Sequence, residues 1–215
     1  MEENVKQEQI FDLTGGLLCL DFANTLDNRT DVHPQELLNS YNDLVLWSQQ
    51  ADVLTEKEAQ QILERAGQHS SEATRVLKRA VEVREAIFRI FKQVAEDASP
   101  KEKDLVTLSA MVAEAQKHAQ IVPNTNGFRW DWVDKRSDLD CMLWPVVRSA
   151  ADFLTSDELD TVRVCASDNC NWLFIDTSKN HSRRWCNMKS CGNREKARRF
   201  YTRKKSSPAV SQNLR

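Results

Sequence analysis

CASDNCNWLFIDTSKNHSRRWCNMKSCGNREKARRFYTRKK, residues 165–205, decides how this chain of 215 residues is read. Cys165, Cys170, Cys186 and Cys191 stand in it with the spacing C-x4-C-x15-C-x4-C. Two short-spaced pairs around a hairpin-length insert are what a tetrahedral zinc ion needs, since each pair grips two corners and the insert folds back between them. The four are therefore the predicted ligands of one structural Zn2+. Two disulfides, or unpaired buried thiols, are the competing readings. Between the pairs, Trp172, Phe174 and Trp185 alternate with polar residues and the turn-prone Thr177-Ser178-Lys179-Asn180 lies midway, so a β-hairpin is expected there. Beyond Cys191 the stretch GNREKARRFYTRKK holds no breaker after its glycine and predicts a helix.

Knuckle, hairpin, helix is the order of a treble-clef finger. A helix N-terminus beside the second cysteine pair suits a doubly negative zinc–thiolate centre, because its free N–H groups and dipole favour negative charge. At 100° per residue, Ala197, Phe200 and Tyr201 share an arc expected to pack onto the hairpin. Arg194, Arg198 and Lys205 fall on one side of that arc, and Lys196, Arg199 and Arg203 on the other.

Charge divides at the first of these cysteines. Residues 165–215 hold 12 Lys+Arg and three Asp+Glu, net +9, while residues 1–164 hold 18 and 29, net -11. The whole-chain value of -2 conceals two oppositely charged parts. Zinc with four thiolates removes two charges and leaves about +7 on the finger, a density that attracts phosphate backbones. Arg183, Arg184, Arg194, Lys196, Arg198, Arg199 and Arg203 are the candidate nucleic-acid contacts.

The acidic part reads as helical. Five glycines in 215 residues is about 2% against a usual share near 7%, which disfavours turn-dense sandwiches; no phosphate-loop or dinucleotide string occurs. Thr55-Glu56-Lys57-Glu58 is a capping box opening a helix that Gly67 can stop. A long apolar-periodic stretch runs from Glu72 to Ala95. Ser99-Pro100-Lys101-Glu102 sets an N-cap, a first-position proline and a capping glutamate ahead of a helix towards His118. Pro123 and Gly127 punctuate a turn-and-strand segment ending FRWDWV, and a last helix covers Asp138 to Leu154, kinked or restarted at Pro145. LTGGLLCLDFANTL is either strand or buried helix. The expected fold class is mainly α with small β elements (α+β): a helical domain over 1–160, a finger over 161–205 and a disordered tail over 206–215.

Cys19 and Cys141 lie in apolar stretches and read as small buried hydrophobes. The polar N-terminus resembles no signal peptide, no apolar run approaches a bilayer span, and a cytoplasmic location with no membrane partner is expected. One residue breaks the long helix's pattern: Arg84 falls inside the arc of Leu77, Ala80, Val81, Ile87, Phe88 and Phe91. A guanidinium there requires an anionic partner. That partner is either an internal carboxylate, for instance Asp21, or a small ligand held by Arg84 with Asp21, Asn24 and Thr25. The four histidines are scattered, no nucleophile elbow or H-E-x-x-H occurs, and a closed four-thiolate site leaves no position for a catalytic water. An enzyme is not expected.

Arg184-Trp185-Cys186, Asn187-Met188 and Cys191-Gly192-Asn193-Arg194, preceded by WLFID, resemble the CGNR zinc-finger family of bacteria. Gly15-Gly16-Leu17-Leu18-Cys19-Leu20-Asp21-Phe22-Ala23-Asn24-Thr25 is similar to the leading string of the ABATE domain that precedes this finger. The resemblance covers nearly the whole chain. It implies a treble clef, zinc ligation by Cys165, Cys170, Cys186 and Cys191, and a role in stress-responsive transcription regulation. The resulting expectation is a zinc-dependent DNA-binding regulator with a ligand- or partner-sensing helical domain, acting as a homodimer. Its rivals are an RNA-binding module, a protein-interaction finger, and a small-molecule binder whose finger braces the fold.

Overall fold

The computed structural model describes residues 11–133 and 138–206, with side chains described as far as 202. The polar N-terminus, 1–10, and the expected tail from 207 onward lie outside the described residues; Ser206 closes the last helix. The architecture is α+β, with helices dominant and three two-stranded antiparallel sheets among the described residues.

The Gly-Gly segment opens α1, Leu18–Ala23, whose Cys19, Leu20, Phe22 and Ala23 are buried. Gly16 enters it at φ 86°, a left-handed conformation that favours glycine. Two short strands follow, β1, Leu26–Asp27, paired with β2, Gln35–Glu36. Next comes α2, Tyr41–Gln50, with a Ser40–Asp43 capping box. The predicted Thr55–Glu58 capping box is formed at the start of α3, Glu56–Gln68. That helix runs through Gly67 and turns at His69 directly into α4, Ser70–Ala95.

The long helix is the hub, packing against α1, α2, α3 and α5. Its stripe of Ala73, Val76, Ala80, Val83, Ile87, Ile90 and Phe91 is buried. Each large side chain so buried contributes roughly 1.5–3 kcal/mol.

The next helix, α5, Glu102–Gln116, begins later than the Ser99 cap predicted. Asp104, 1% exposed, takes three hydrogen bonds at 2.7–3.0 Å from Arg89 of α4. Gln93 Oε1 accepts the Lys101 N–H instead of a local cap. Tertiary partners on the hub helix thus replace the box expected of Ser99 and Glu102.

A hairpin of β3, Ala119–Asn124, and β4, Gly127–Trp132, turns on Thr125-Asn126 as the punctuation predicts. Finally α6, Leu143–Leu154, packs on α1 and α5. Pro145 lies in its first turn, where a missing N–H breaks nothing, so the helix starts there rather than kinking. Cys19 and Cys141 are buried, and burial pushes the Cys19 thiol up to about 12.

Candidate metal centre and basic helix

The finger begins as a strand of the main body. A pair of strands, β5, Val162–Val164, and β6, Leu173–Ile175, forms a hairpin whose Val162 and Leu173 belong to the large core. The expected hairpin between the cysteine pairs is therefore displaced: its strands flank the first pair instead. Both arrangements satisfy the alternation of Trp172 and Phe174. The observed one prevails because β6 also joins α1. Ile175 N–H donates to the Gly15 carbonyl at 2.9 Å. Asn24 bridges Leu173 on both sides, donating Nδ2 to its carbonyl and accepting its N–H through Oδ1, each at 2.9 Å.

At the hairpin tip, Cys165 N–H donates to the Trp172 carbonyl and Cys170 N–H to the Ser167 carbonyl, making a tight knuckle. Asp176, fully buried, then organises the return loop by accepting from Ser178 N–H, Ser178 Oγ and Arg183 N–H. Burial pushes its carboxyl up, but those donors hold it below the usual range. His181 sits in this loop at φ 45°, its Nδ1 3.2 Å from the Asp176 carbonyl. The second knuckle is a wide helical turn, Met188–Gly192, capped by the Asn187 side chain. A Cβ on Gly192 would meet Met188 Sδ at 2.9 Å, the outer end of an exposed, flexible side chain that can swing aside.

These loops bring Cys165, Cys170, Cys186 and Cys191 together, all buried, with every Sγ within 4.8 Å of the others. Cys170 and Cys186 are 3.6 Å apart and Cys186 and Cys191 3.7 Å. A regular tetrahedron with Zn–S bonds of about 2.3 Å has edges of about 3.8 Å. A disulfide needs about 2.0 Å. The thiols are free and spaced for one zinc ion, which removes the disulfide reading. So crowded, they do not ionise alike: hydrogen bonds from Cys170 and Cys186 pull Cys165 well below the usual thiol value, and the thiolate this favours raises Cys170 and Cys186. A dication lifts that restriction, because it stabilises all four thiolates at once.

Arg183 serves this centre. Its guanidinium lies 4.6 Å over the Phe174 ring and donates to the carbonyls of Trp185 and Cys186. A side chain expected at the phosphate surface is thus engaged inside the finger.

The basic helix is α7, Asn193–Ser206, starting directly after the second knuckle. Glu195 is buried in its first turn. Arg198 pairs with it at 3.0 Å and with Asp168 at 2.5 Å. Arg184, Arg194, Lys196 and Arg199 are exposed and have no ion-pair partner among the described residues. Arg203 lies on the helix beyond the described side chains. Ala197, Phe200 and Tyr201 do not pack on the hairpin. All three are exposed, Phe200 at 64% and Tyr201 at 63%, with the two rings edge-on at 5.7 Å. The finger-side residues of that hairpin, Trp172 and Phe174, pack instead with the four cysteines, and Arg183 lies over Phe174.

In the helical part, Arg84 is 2% exposed and finds carboxylates that pattern alone could not name. Glu36 of β2 takes it bidentately at 2.5 and 2.8 Å, and Glu85 takes Nε at 3.0 Å. Arg29 closes the network on Glu85 at 2.9 and 3.1 Å and lies 3.7 Å over Phe88. Burial acts to raise Glu85, but the two guanidiniums hold it below the usual range. Asp21, suggested as the partner, instead accepts the Gly15 N–H at 2.7 Å, and burial raises it to about 6. Thr25, just beyond α1, donates to the Phe22 carbonyl of that helix. Arg84, Asp21, Asn24 and Thr25 thus hold separate protein partners.

Two family descriptions match this chain. Residues 16–157 match ABATE, described as "Putative stress-induced transcription regulator", and residues 161–204 match the CGNR zinc finger. No curated protein matches the sequence. No helix among the described residues is long and apolar enough to cross a membrane.

Proposed function

The chain belongs to the ABATE family and carries a CGNR zinc finger behind that domain, and on that premise we propose that it is a zinc-dependent DNA-binding regulator of transcription. The helical domain, 1–160, senses a ligand or partner under stress in the cytoplasm, and the finger, 161–205, docks on duplex DNA. The observation that carries this reading is α7: a helix seated on the four-cysteine centre, with Arg194, Lys196 and Arg199 exposed and without an ion-pair partner among the described residues. Arg184, Arg194, Lys196, Arg199 and Arg203 are the proposed phosphate contacts. Arg183 and Arg198 hold the finger's shape. A module of this size buries only about 600–1,000 Å2 on DNA, so useful specificity calls for a homodimer. The chemistry is binding rather than catalysis.

Selection of bound sequences from a random duplex pool tests this, with Cys186→Ser in parallel. Enrichment is expected with the wild type alone. Five phosphate contacts per finger give a slope of log K against log salt of about -4.5 for one bound finger and about -9 for a dimer, and each Arg→Gln or Lys→Gln change lowers its magnitude by about one per finger. Absence of enrichment with the zinc-loaded protein refutes the proposal.

One observation favours a second reading. The open Phe200 and Tyr201 rings beside cations make a platform on which unpaired bases stack, worth roughly 1–3 kcal/mol per base. Single-stranded RNA bound more tightly than duplex DNA, and lost on Phe200→Ser with Tyr201→Ser, selects that reading.

A further inference from the structure

The β3–β4 hairpin arches over α6 and leaves a cleft of about 500 Å3, within the range of small-molecule sites. Trp130 and Trp132, two apart on β4, share one face of the hairpin and form one wall. Leu17, Pro145 and Phe153 form the other. Three charged side chains border it: Arg148 and Asp152 from α6, and Glu158 beyond it.

Their arrangement indicates what the cleft takes. The Arg148 guanidinium stands 4.1 Å over the Trp130 ring while its Nε donates to Asp152 at 3.1 Å. The face of Trp130 is thus already used as a cation seat. Asp152 is 63% exposed, and Glu158 is exposed with no ion-pair partner among the described residues. Among the described residues the cleft is lined by two carboxylates against one guanidinium, net negative, within a part of the chain whose balance is -11. An anion entering meets repulsion. An apolar cation gains the aromatic walls, the carboxylates and the ring face that Arg148 now occupies.

We propose that this cleft binds a lipophilic organic cation, in competition with Arg148 for the face of Trp130. The proposal rests on reading the helical domain as the sensing part only for its purpose; the binding itself requires no DNA. Leu17 in its wall adjoins the Gly15–Gly16 segment that pairs with Ile175 of β6.

Tetraphenylphosphonium and its isosteric anion tetraphenylborate, titrated into the zinc-loaded full chain by calorimetry, separate the outcomes. The cation is expected to bind saturably with one site, and the anion at least tenfold more weakly. Trp130→Ala is expected to weaken the cation about tenfold, and Arg148→Gln to tighten it about fivefold, as removal of a competing cation–π contact requires. Circular dichroism checks that both variants are folded. Preference for the anion, weakened by Arg148→Gln, overturns the proposal, as does cation binding that neither substitution changes. DNA selection on the same preparation is scored separately, so failure of the DNA reading leaves this result standing.

Discussion

Replacing Asn24 with alanine should loosen the joint between the helical domain and the finger. The side chain makes two hydrogen bonds of 2.9 Å with the Leu173 backbone, and the residues are 2% and 0% exposed. Alanine leaves one donor and one acceptor buried without partners. At about 1–3 kcal/mol for each orphan, the loss is about 2–6 kcal/mol. It falls towards the lower end if the vacated space admits a water. Leu173 adjoins Phe174, whose ring carries the guanidinium of Arg183, so zinc should also leave faster. Urea unfolding at fixed free zinc reads the first effect, and transfer of zinc to a chromogenic chelator reads the second. Asn24→Asp is the sharper variant: it keeps the acceptor for the Leu173 N–H but sets a carboxylate oxygen against the Leu173 carbonyl, and should be at least as damaging. If Asn24→Ala costs under about 1 kcal/mol and zinc release is unchanged, the joint is not built as described.

Three further outcomes are expected. Arg84→Leu strands the carboxylate of Glu36, while Glu85 keeps Arg29, and should destabilise by about 2–4 kcal/mol, less than a fully dry pair because Glu36 is 32% exposed; a double-mutant cycle with Glu36→Leu should recover part of it, and strict additivity argues against the pair. Asp21 has its folded pKa raised to about 6, so the native state holds the proton more tightly and this contribution fades as pH rises from about 4 through 6. Asp21→Asn, which still accepts the Gly15 N–H, should remove that slope and gain about 1–3 kcal/mol at pH 7; unchanged pH dependence in urea melts counts against it. Arg183→Lys loses the fork onto the Trp185 and Cys186 carbonyls and should release zinc about tenfold faster to a chelator, whereas an unchanged rate would return Arg183 to the phosphate-facing set.

Much of the architecture is legible along the chain. Cysteine spacing named a ligand set whose sulfurs lie at tetrahedral distances, and the Thr55–Glu58 box, the stripe of α4 and the turn before Gly127 are formed where local chemistry puts them. Each depends on residues within a few positions of one another, or on a period that repeats over several turns. The late start of α5 was not legible, because Arg89 and Gln93 on another helix outcompete the local cap. Nor was the strand pairing of the finger, since alternation around Trp172 serves two hairpins equally. The Trp130–Trp132 cleft had a visible signal in alternating aromatics, but its other wall comes from α6 and the segment before α1.

The sequence by itself determined the metal chemistry, the split of charge at Cys165 and the buried cation at Arg84, because each is a property of residue type and spacing. Tertiary structure decided the partners. Glu36 and Glu85 rather than Asp21 meet Arg84, Leu173 holds Asn24, and Phe200 with Tyr201 face solvent. A helix period says which side chains share a face, but a burial partner lies on another element, and only the packed chain brings the two within reach.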